Sequence, residues 1–144
     1  MTSVAPYDEQ QIDNDDTIIR RISAEYIVPD ANTGGERLSS KAFSASSGEN
    51  GGMSVDLLPL MIEAGEDAEE FVTTPVFTGS VQFPAGAARK AGLWVGYEPL
   101  PDNAYHGEVW RSPAGGRFTG GQTKALMNAS NWFVEIPSVE IPKK

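Results

Sequence analysis

The stretch that decides the fold reads LWVGYE over residues 93–98 and, after a short link, YHGEVWR over residues 105–111. Apolar and other residues alternate along both segments, as they do along half-buried strands. In the second segment this alternation places His106 and Glu108 on the same face. The two segments therefore predict an antiparallel pair of strands joined by a loop.

The rest of the chain is predicted to form short strands and short helices. Further strands are predicted over residues 17–22 and 79–83. Helices are predicted over residues 56–65, 66–72, 84–91 and 122–133, with Asp56 as the N-cap of the first and Trp132 on the apolar stripe of the last. Strict alternation of strand and helix is absent, which indicates an α+β fold with a small mixed or antiparallel sheet and two to four short helices.

The formal net charge of −9 is concentrated near the N-terminus, because residues 1–16 contain five acidic and no basic residues. This composition predicts a disordered acidic leader over residues 1–16, followed by a single α+β domain over residues 17–144. General nucleic-acid binding is disfavoured, since it needs a basic surface.

Cysteine is absent from the sequence, and His106 is the only histidine. Disulfides, thiolate zinc sites and cysteine nucleophiles are therefore excluded, and we expect no metal site. The N-terminal residues do not resemble a signal peptide, and no run of 18 apolar residues predicts a membrane span. We expect a cytoplasmic protein.

Two interpretations of His106 remain open. One is a hydrogen-bonded strand histidine with a structural role, and the other is a residue for substrate binding or proton transfer. A Ser-His-acid triad is formally conceivable, but no serine lies in a Gly-x-Ser-x-Gly motif.

A glycine-rich segment over residues 115–124 precedes the last predicted helix. It lacks the residue order of a phosphate-binding P-loop. Arg117 and Lys124 lie in it, so we consider an anion site here as well as a simple connecting loop.

The segments Arg20-Arg21-Ile22 and Arg37-Leu38-Ser39-Ser40-Lys41-Ala42-Phe43 together resemble the beginning of ADP-ribosyltransferase-like domains. The resemblance implies that Arg20 or Arg21 holds the phosphates of NAD and that Ser39 or Ser40 lines the nicotinamide pocket. It assigns no position to the catalytic glutamate of that family.

A wider resemblance spans residues 18–134. The ordered segments Arg-Arg-Ile (20–22), Ser-Ser-x-Ala-Phe (39–43), Met-Ser-Val-Asp (53–56) and Asp-Asn-x-x-His (102–106) are similar to those of small bacterial proteins for which we know no activity. Trp110-Arg111 departs from that pattern, where a small residue and glycine would be expected.

The interpretation that the sequence favours is a non-catalytic binding or accessory protein without a cofactor, whose partner is an unknown protein or a small anionic ligand. The alternative is a small ADP-ribosyltransferase-like enzyme that acts on NAD or a related nucleotide. The candidate site residues are His106, Ser39 and Ser40, as catalytic groups if the protein is an enzyme, and Arg20, Arg21, Arg37, Arg117 and Lys124 as ligand-binding groups. An enzyme should bring these side chains together around one cleft, whereas a binding module need not.

Overall fold

The structure, a computed structural model, describes residues 5–44, 52–111 and 116–143. Within these ranges the strands are β1 (Thr17–Ser23), β2 (Ile27–Pro29), β3 (Glu36–Leu38), β4 (Met53–Leu57), β5 (Phe77–Pro84), β6 (Leu93–Tyr97), β7 (His106–Arg111), β8 (Asn131–Val134) and β9 (Val139–Glu140). The helices are α1 (Leu58–Glu63), α2 (Ala68–Val72), α3 (Ala85–Lys90) and α4 (Gly120–Ala129). Short 3₁₀ turns lie at Ala24–Tyr26 and Ser40–Ala42.

Six strands form one antiparallel sheet in the order β6-β7-β4-β1-β5-β8. A smaller sheet has the order β2-β3-β9, in which β3 and β9 are parallel. The α+β prediction is confirmed. The predicted pair over residues 93–98 and 105–111 is also confirmed as β6 and β7, with Val95 opposite Val109.

Helices cover both faces of the large sheet. On one face α3 and α4 pack over the main core, which includes Ile18 and Ile22 of β1 together with Leu126 of α4. On the other face α1 and α2 enclose a smaller cluster built on Ile19, Met61 and Val72. Successive side chains of a strand point to opposite faces. Ile19 and Arg21 therefore lie on the face that α1 and α2 cover, and the side chain of Arg20 leaves β1 on the opposite face.

Two predicted helices differ from the structure. Residues 56 and 57 end strand β4, and the helix begins only at Leu58, so Asp56 is not an N-cap. The last helix ends at Ala129, and Trp132 pairs with Val81 in the sheet as part of β8. In both places pairing with distant strands overrides the local helical signals.

Residues 5–16, which belong to the leader predicted over residues 1–16, pack against the sheet; residues 1–4 lie outside the described residues. β6 is an edge strand, and this segment lies along its open side. The Asp8 carboxylate accepts hydrogen bonds from the Val95 N–H and Arg89 Nε, both at 3.0 Å. The Glu9 N–H donates to the Val95 carbonyl oxygen at 2.8 Å, and the Glu9 carbonyl oxygen accepts from Arg89 Nη2 at 2.8 Å. The segment thus satisfies backbone groups that an edge strand leaves exposed.

Tyr7 completes this attachment through its ring and its hydroxyl group. The hydroxyl accepts from the Tyr97 N–H and donates to the Tyr97 carbonyl oxygen, both at 2.9 Å. The ring packs on Trp110, with 5.8 Å between the ring centroids. Gly96 makes room for this contact, because a Cβ atom there would lie 2.4 Å from the Trp110 ring and 2.8 Å from the Tyr7 ring.

The described ranges contain no helix that is long and apolar enough to cross a membrane.

Replacing Arg89 by alanine tests the attachment of the N-terminal segment. The substitution removes charge-assisted hydrogen bonds to Asp8, to the Glu9 carbonyl and to Asn14. We expect a loss of about 1.5–3 kcal/mol in the free energy of unfolding, measured by urea denaturation. The exposed neighbour Lys90 is the control, and Lys90→Ala should stay within about 0.5 kcal/mol of the wild type. Equal effects of the two substitutions would show that the segment is not bound.

Candidate functional site

A cavity of about 930 Å³ opens where strands β1 and β4 separate. The two strands pair only as far as Ile19 and Asp56. Beyond this point β1 continues beside β5 to Ser23, and β4 runs back beside β7 to Met53. Polar side chains near the centre of the sheet therefore line the gap between the two strands and are accessible from the cavity.

The lining of the cavity combines polar side chains, which we call its polar end, with apolar ones. Its polar lining includes Arg20, Arg21, Ser54, Asp56, Asn103 and His106. Its apolar lining includes Phe71, Pro75, Val76, Phe77 and Leu100. A concave surface with a few convergent polar groups and an apolar wall is the usual form of a small-molecule site.

Arg20 crosses the gap between the strands and is almost fully buried. Its Nε donates to the Ala42 carbonyl oxygen at 2.8 Å, and Nη1 donates to the Ser54 carbonyl oxygen at 2.9 Å. Nη2 lies 3.3 Å from the Tyr26 hydroxyl group, and the guanidinium also lies over the Tyr26 ring. Burial lowers the pKa of Arg20, and this effect is opposed by Tyr26, Glu108 and Asp56. The guanidinium is thus used chiefly to hold the backbone in place.

Arg21 lies on the other face of β1 and forms an ion pair with Asp56. Its Nε is 2.8 Å from Asp56 Oδ2, and its Nη2 is 3.3 Å from Oδ1. The amide of Asn103 also donates to Oδ1, at 2.7 Å. The guanidinium carbon of Arg21 lies 5.5 Å from the centre of the Phe71 ring. Because Asp56 neutralises Arg21, the polar end of the cavity does not act as a strongly cationic anion site.

His106 connects the cavity wall to buried acidic residues. Its Nδ1 lies 2.7 Å from the Glu98 carbonyl oxygen, and its Nε2 lies 2.8 Å from Ser54 Oγ. One carboxylate oxygen of Glu108, Oε2, lies 3.2 Å from both Nε2 and Ser54 Oγ. Strand register explains this arrangement, since Asp56 is opposite His106 and Ser54 is opposite Glu108. As predicted, His106 and Glu108 lie on the same face of their strand, and this places both side chains beside Ser54.

The group Glu98, His106 and Glu108 has side-chain ligand atoms within 4.8 Å of one another, so we considered a metal ion here. The carboxylates approach opposite sides of the imidazole: Glu98 Oε1 is 3.9 Å from Nδ1, whereas Glu108 Oε2 is 3.2 Å from Nε2. The lone pairs of the two ring nitrogens diverge, and Nδ1 is already bonded to a carbonyl oxygen. This arrangement does not suit one ion bound by all three residues, and we retain the prediction that the protein has no metal site.

The remaining predicted site residues lie elsewhere. Ser39 caps a 3₁₀ turn, where its hydroxyl accepts from the Lys41 N–H at 3.2 Å. Ser40 lines a second cleft of about 490 Å³ together with Arg37, Arg117 and Lys124. The structure therefore brings Arg20, Arg21 and His106 to one cavity and places neither serine in its lining.

Sequence reasoning missed Ser54, Asp56 and Asn103 as site residues. All three lie within the ordered segments of the wider resemblance. Three of the four segments contribute residues to the cavity lining, and the fourth, residues 39–43, contacts Arg20 through the Ala42 carbonyl oxygen. The Ser54-Val55-Asp56 spacing would have placed two polar side chains on one face, had residues 53–57 been predicted as a strand.

Comparisons with models of protein families, with curated proteins and with solved structures found no match to this chain.

Replacing Asp56 by asparagine tests the ion pair at the polar end of the cavity. The substitution keeps the shape of the side chain but removes the charge that faces Arg21. We expect a loss of about 1.5–3 kcal/mol in the free energy of unfolding. Asp102 lines the same cavity and is exposed, so Asp102→Asn is the matched control and should change stability by less than about 0.5 kcal/mol. If both variants unfold at the same urea concentration, Asp56 does not hold this end together.

Proposed function

We propose that the protein is a binding domain whose cavity takes a small neutral organic molecule with a carbonyl group at one end and an apolar group at the other. The observation that carries this proposal is a cavity lining that combines polar side chains, among them Ser54, His106 and Asn103, with apolar ones, among them Phe71 and Val76.

Charge supports a neutral ligand. The two arginines of the cavity are accompanied by the acidic residues Glu25, Asp56 and Asp102 in its lining. Arg20 already donates to two backbone carbonyl oxygens, and Arg21 is held by Asp56. An anion would therefore have to displace existing partners, whereas a carbonyl compound needs only a hydrogen-bond donor and an apolar surface.

The apolar side chains of the lining support a ligand with a hydrophobic body. Val76 is a large apolar side chain with 64% of its surface exposed, and it lies in the cavity lining beside Phe77 and Pro75. Covering such a side chain with an apolar ligand group removes unfavourable contact with water.

The second cleft, which we call the cationic cleft, supports a second candidate function, the binding of an anionic small molecule. Arg37, Lys41, Arg117 and Lys124 line it, and its described lining contains no acidic residue. No ion pair involving any of the four is found in the described part of the chain. On a chain of net charge −9, this local concentration of positive charge favours a phosphate-bearing ligand.

The NAD-consuming alternative expected from the resemblance to ADP-ribosyltransferase-like domains receives less support. It needs Ser39 or Ser40 beside the arginine of the first strand, and neither serine lines the cavity that Arg20 lines. A protein partner and a cytoplasmic location stay predictions.

Val76→Asp tests the cavity as a ligand site. Benzamide is the probe, because it combines a neutral carbonyl group with a flat apolar ring. We expect benzamide to bind the wild type in a titration followed by NMR and to bind Val76→Asp about fivefold to tenfold more weakly. Ile62 is equally exposed, at 66%, but lies outside the cavity lining, so Ile62→Asp should bind like the wild type. Absence of binding, or equal weakening in both variants, would refute the proposal.

The double substitution Arg117→Glu and Lys124→Glu tests the cationic cleft. We expect pyrophosphate to bind the wild type in isothermal titration calorimetry, more weakly as salt is raised, because screening reduces the attraction between charges. The double variant should lose at least a factor of ten in affinity, which corresponds to about 1.4 kcal/mol. Lys90→Glu, an exposed change of the same sign outside the cleft, should bind like the wild type. Unchanged affinity in the double variant would exclude the cleft as the site.

A further inference from the structure

We propose that Ser54 is a nucleophile and that the cavity hydrolyses carboxylic esters, with His106 as the base that accepts the serine proton. This inference rests on the proposed function, because the ester would be the neutral carbonyl compound bound in the cavity. It assigns to Ser54 a chemical role that binding alone does not require.

The orientation of the imidazole is the first observation. A backbone carbonyl oxygen can only accept a hydrogen bond, so the contact of 2.7 Å to the Glu98 carbonyl places a proton on His106 Nδ1. The other ring nitrogen, Nε2, then faces Ser54 Oγ at 2.8 Å. A fixed imidazole with one nitrogen directed at a serine hydroxyl is the geometry that activates serine nucleophiles.

The position of Ser54 is the second observation. It is partly exposed in the cavity lining, whereas Glu108 and His106, the latter also part of the lining, are buried. Its carbonyl oxygen accepts from Arg20 Nη1, so the backbone that carries the hydroxyl is held in place. A bound ester can therefore reach the hydroxyl, while the base is kept from bulk water.

The buried carboxylate is the third observation. Glu108 Oε2 lies 3.2 Å from both Nε2 and Ser54 Oγ. The Ser54 hydroxyl supplies the hydrogen atom among these three groups, since its Oγ donates to Glu108 Oε2 and lies 2.8 Å from His106 Nε2. Glu108 can thus stabilise the positive charge that forms on the imidazole when it takes the serine proton. It contacts Nε2 rather than Nδ1, which distinguishes this arrangement from the usual order of a serine triad.

The reaction balances with water as the only co-substrate. Ser54 Oγ attacks the acyl carbon, its proton passes to His106 Nε2, and the carbonyl electron pair moves onto oxygen. When the tetrahedral intermediate collapses, the bond to the alcohol oxygen breaks, and the leaving alcohol takes the proton from Nε2. Water then attacks the acyl-Ser54 carbonyl, gives one proton to Nε2, and Ser54 Oγ leaves with that proton. The products are the carboxylic acid and the alcohol.

A fluorophosphonate probe tests the assignment, since it forms a stable bond to an activated serine with loss of fluoride. We expect one adduct per chain by intact-protein mass spectrometry, located at Ser54 by peptide mapping of the wild type. Hydrolysis of 4-nitrophenyl acetate should fall by at least about a hundredfold in Ser54→Ala and in His106→Gln. Ser80→Ala should react like the wild type, because the Ser80 hydroxyl is buried, has no bonding partner in the described residues and lies outside the cavity lining.

Mapping the adduct on the wild type keeps the test decisive even where a variant folds poorly. An unlabelled protein, an adduct on another residue, or equal rates for the wild type and His106→Gln would overturn the inference. Benzamide binding without labelling would refute the nucleophile and leave the binding function intact, whereas failure of both experiments would refute both proposals.

Discussion

The site depends on Arg20 bridging the gap between β1 and β4. Where ladder pairing between these strands stops, its guanidinium donates to the carbonyl oxygens of Ser54 and Ala42. Buried carbonyl groups need such donors, and each one left without a partner costs about 1–3 kcal/mol. The planar fork of an arginine can serve two carbonyl oxygens at once. The strands can therefore separate within a buried sheet, and the cavity exists because they do.

Strand alternation accounts for most of the chemistry at this opening. Ser54 and Asp56 lie on one face of β4, directly opposite Glu108 and His106 of β7. Arg21 reaches the same face from β1 and is neutralised by Asp56. The polar end therefore consists of groups that satisfy one another, whereas the side chains of Arg37, Lys41, Arg117 and Lys124, which form no ion pair with the described residues, line the separate cationic cleft. This separation is the basis for proposing two ligand chemistries, a neutral carbonyl compound in the cavity and an anion in the cleft.

Local patterns were sufficient for β6, β7 and α3, where alternation and the flanking proline and glycine determine the structure. They were insufficient for residues 53–57, because Asp56 and Pro59 resemble the start of a helix, whereas pairing with two distant strands makes the segment central to the sheet. For the same reason the sequence predicted Arg20 and His106 as site residues but missed Ser54 between them. The composition of the acidic segment over residues 5–16 does not reveal its contacts with Arg89 and with the open edge of β6.

The most direct test of this account is the NMR spectrum of the imidazole nitrogens, which reports on His106 alone because the chain has no other histidine. The account predicts a slowly exchanging proton on Nδ1, bonded to the Glu98 carbonyl, and an Nε2 resonance that shifts when Ser54 is replaced by alanine. A rapidly exchanging imidazole with a proton on either nitrogen, unchanged in Ser54→Ala, would contradict it.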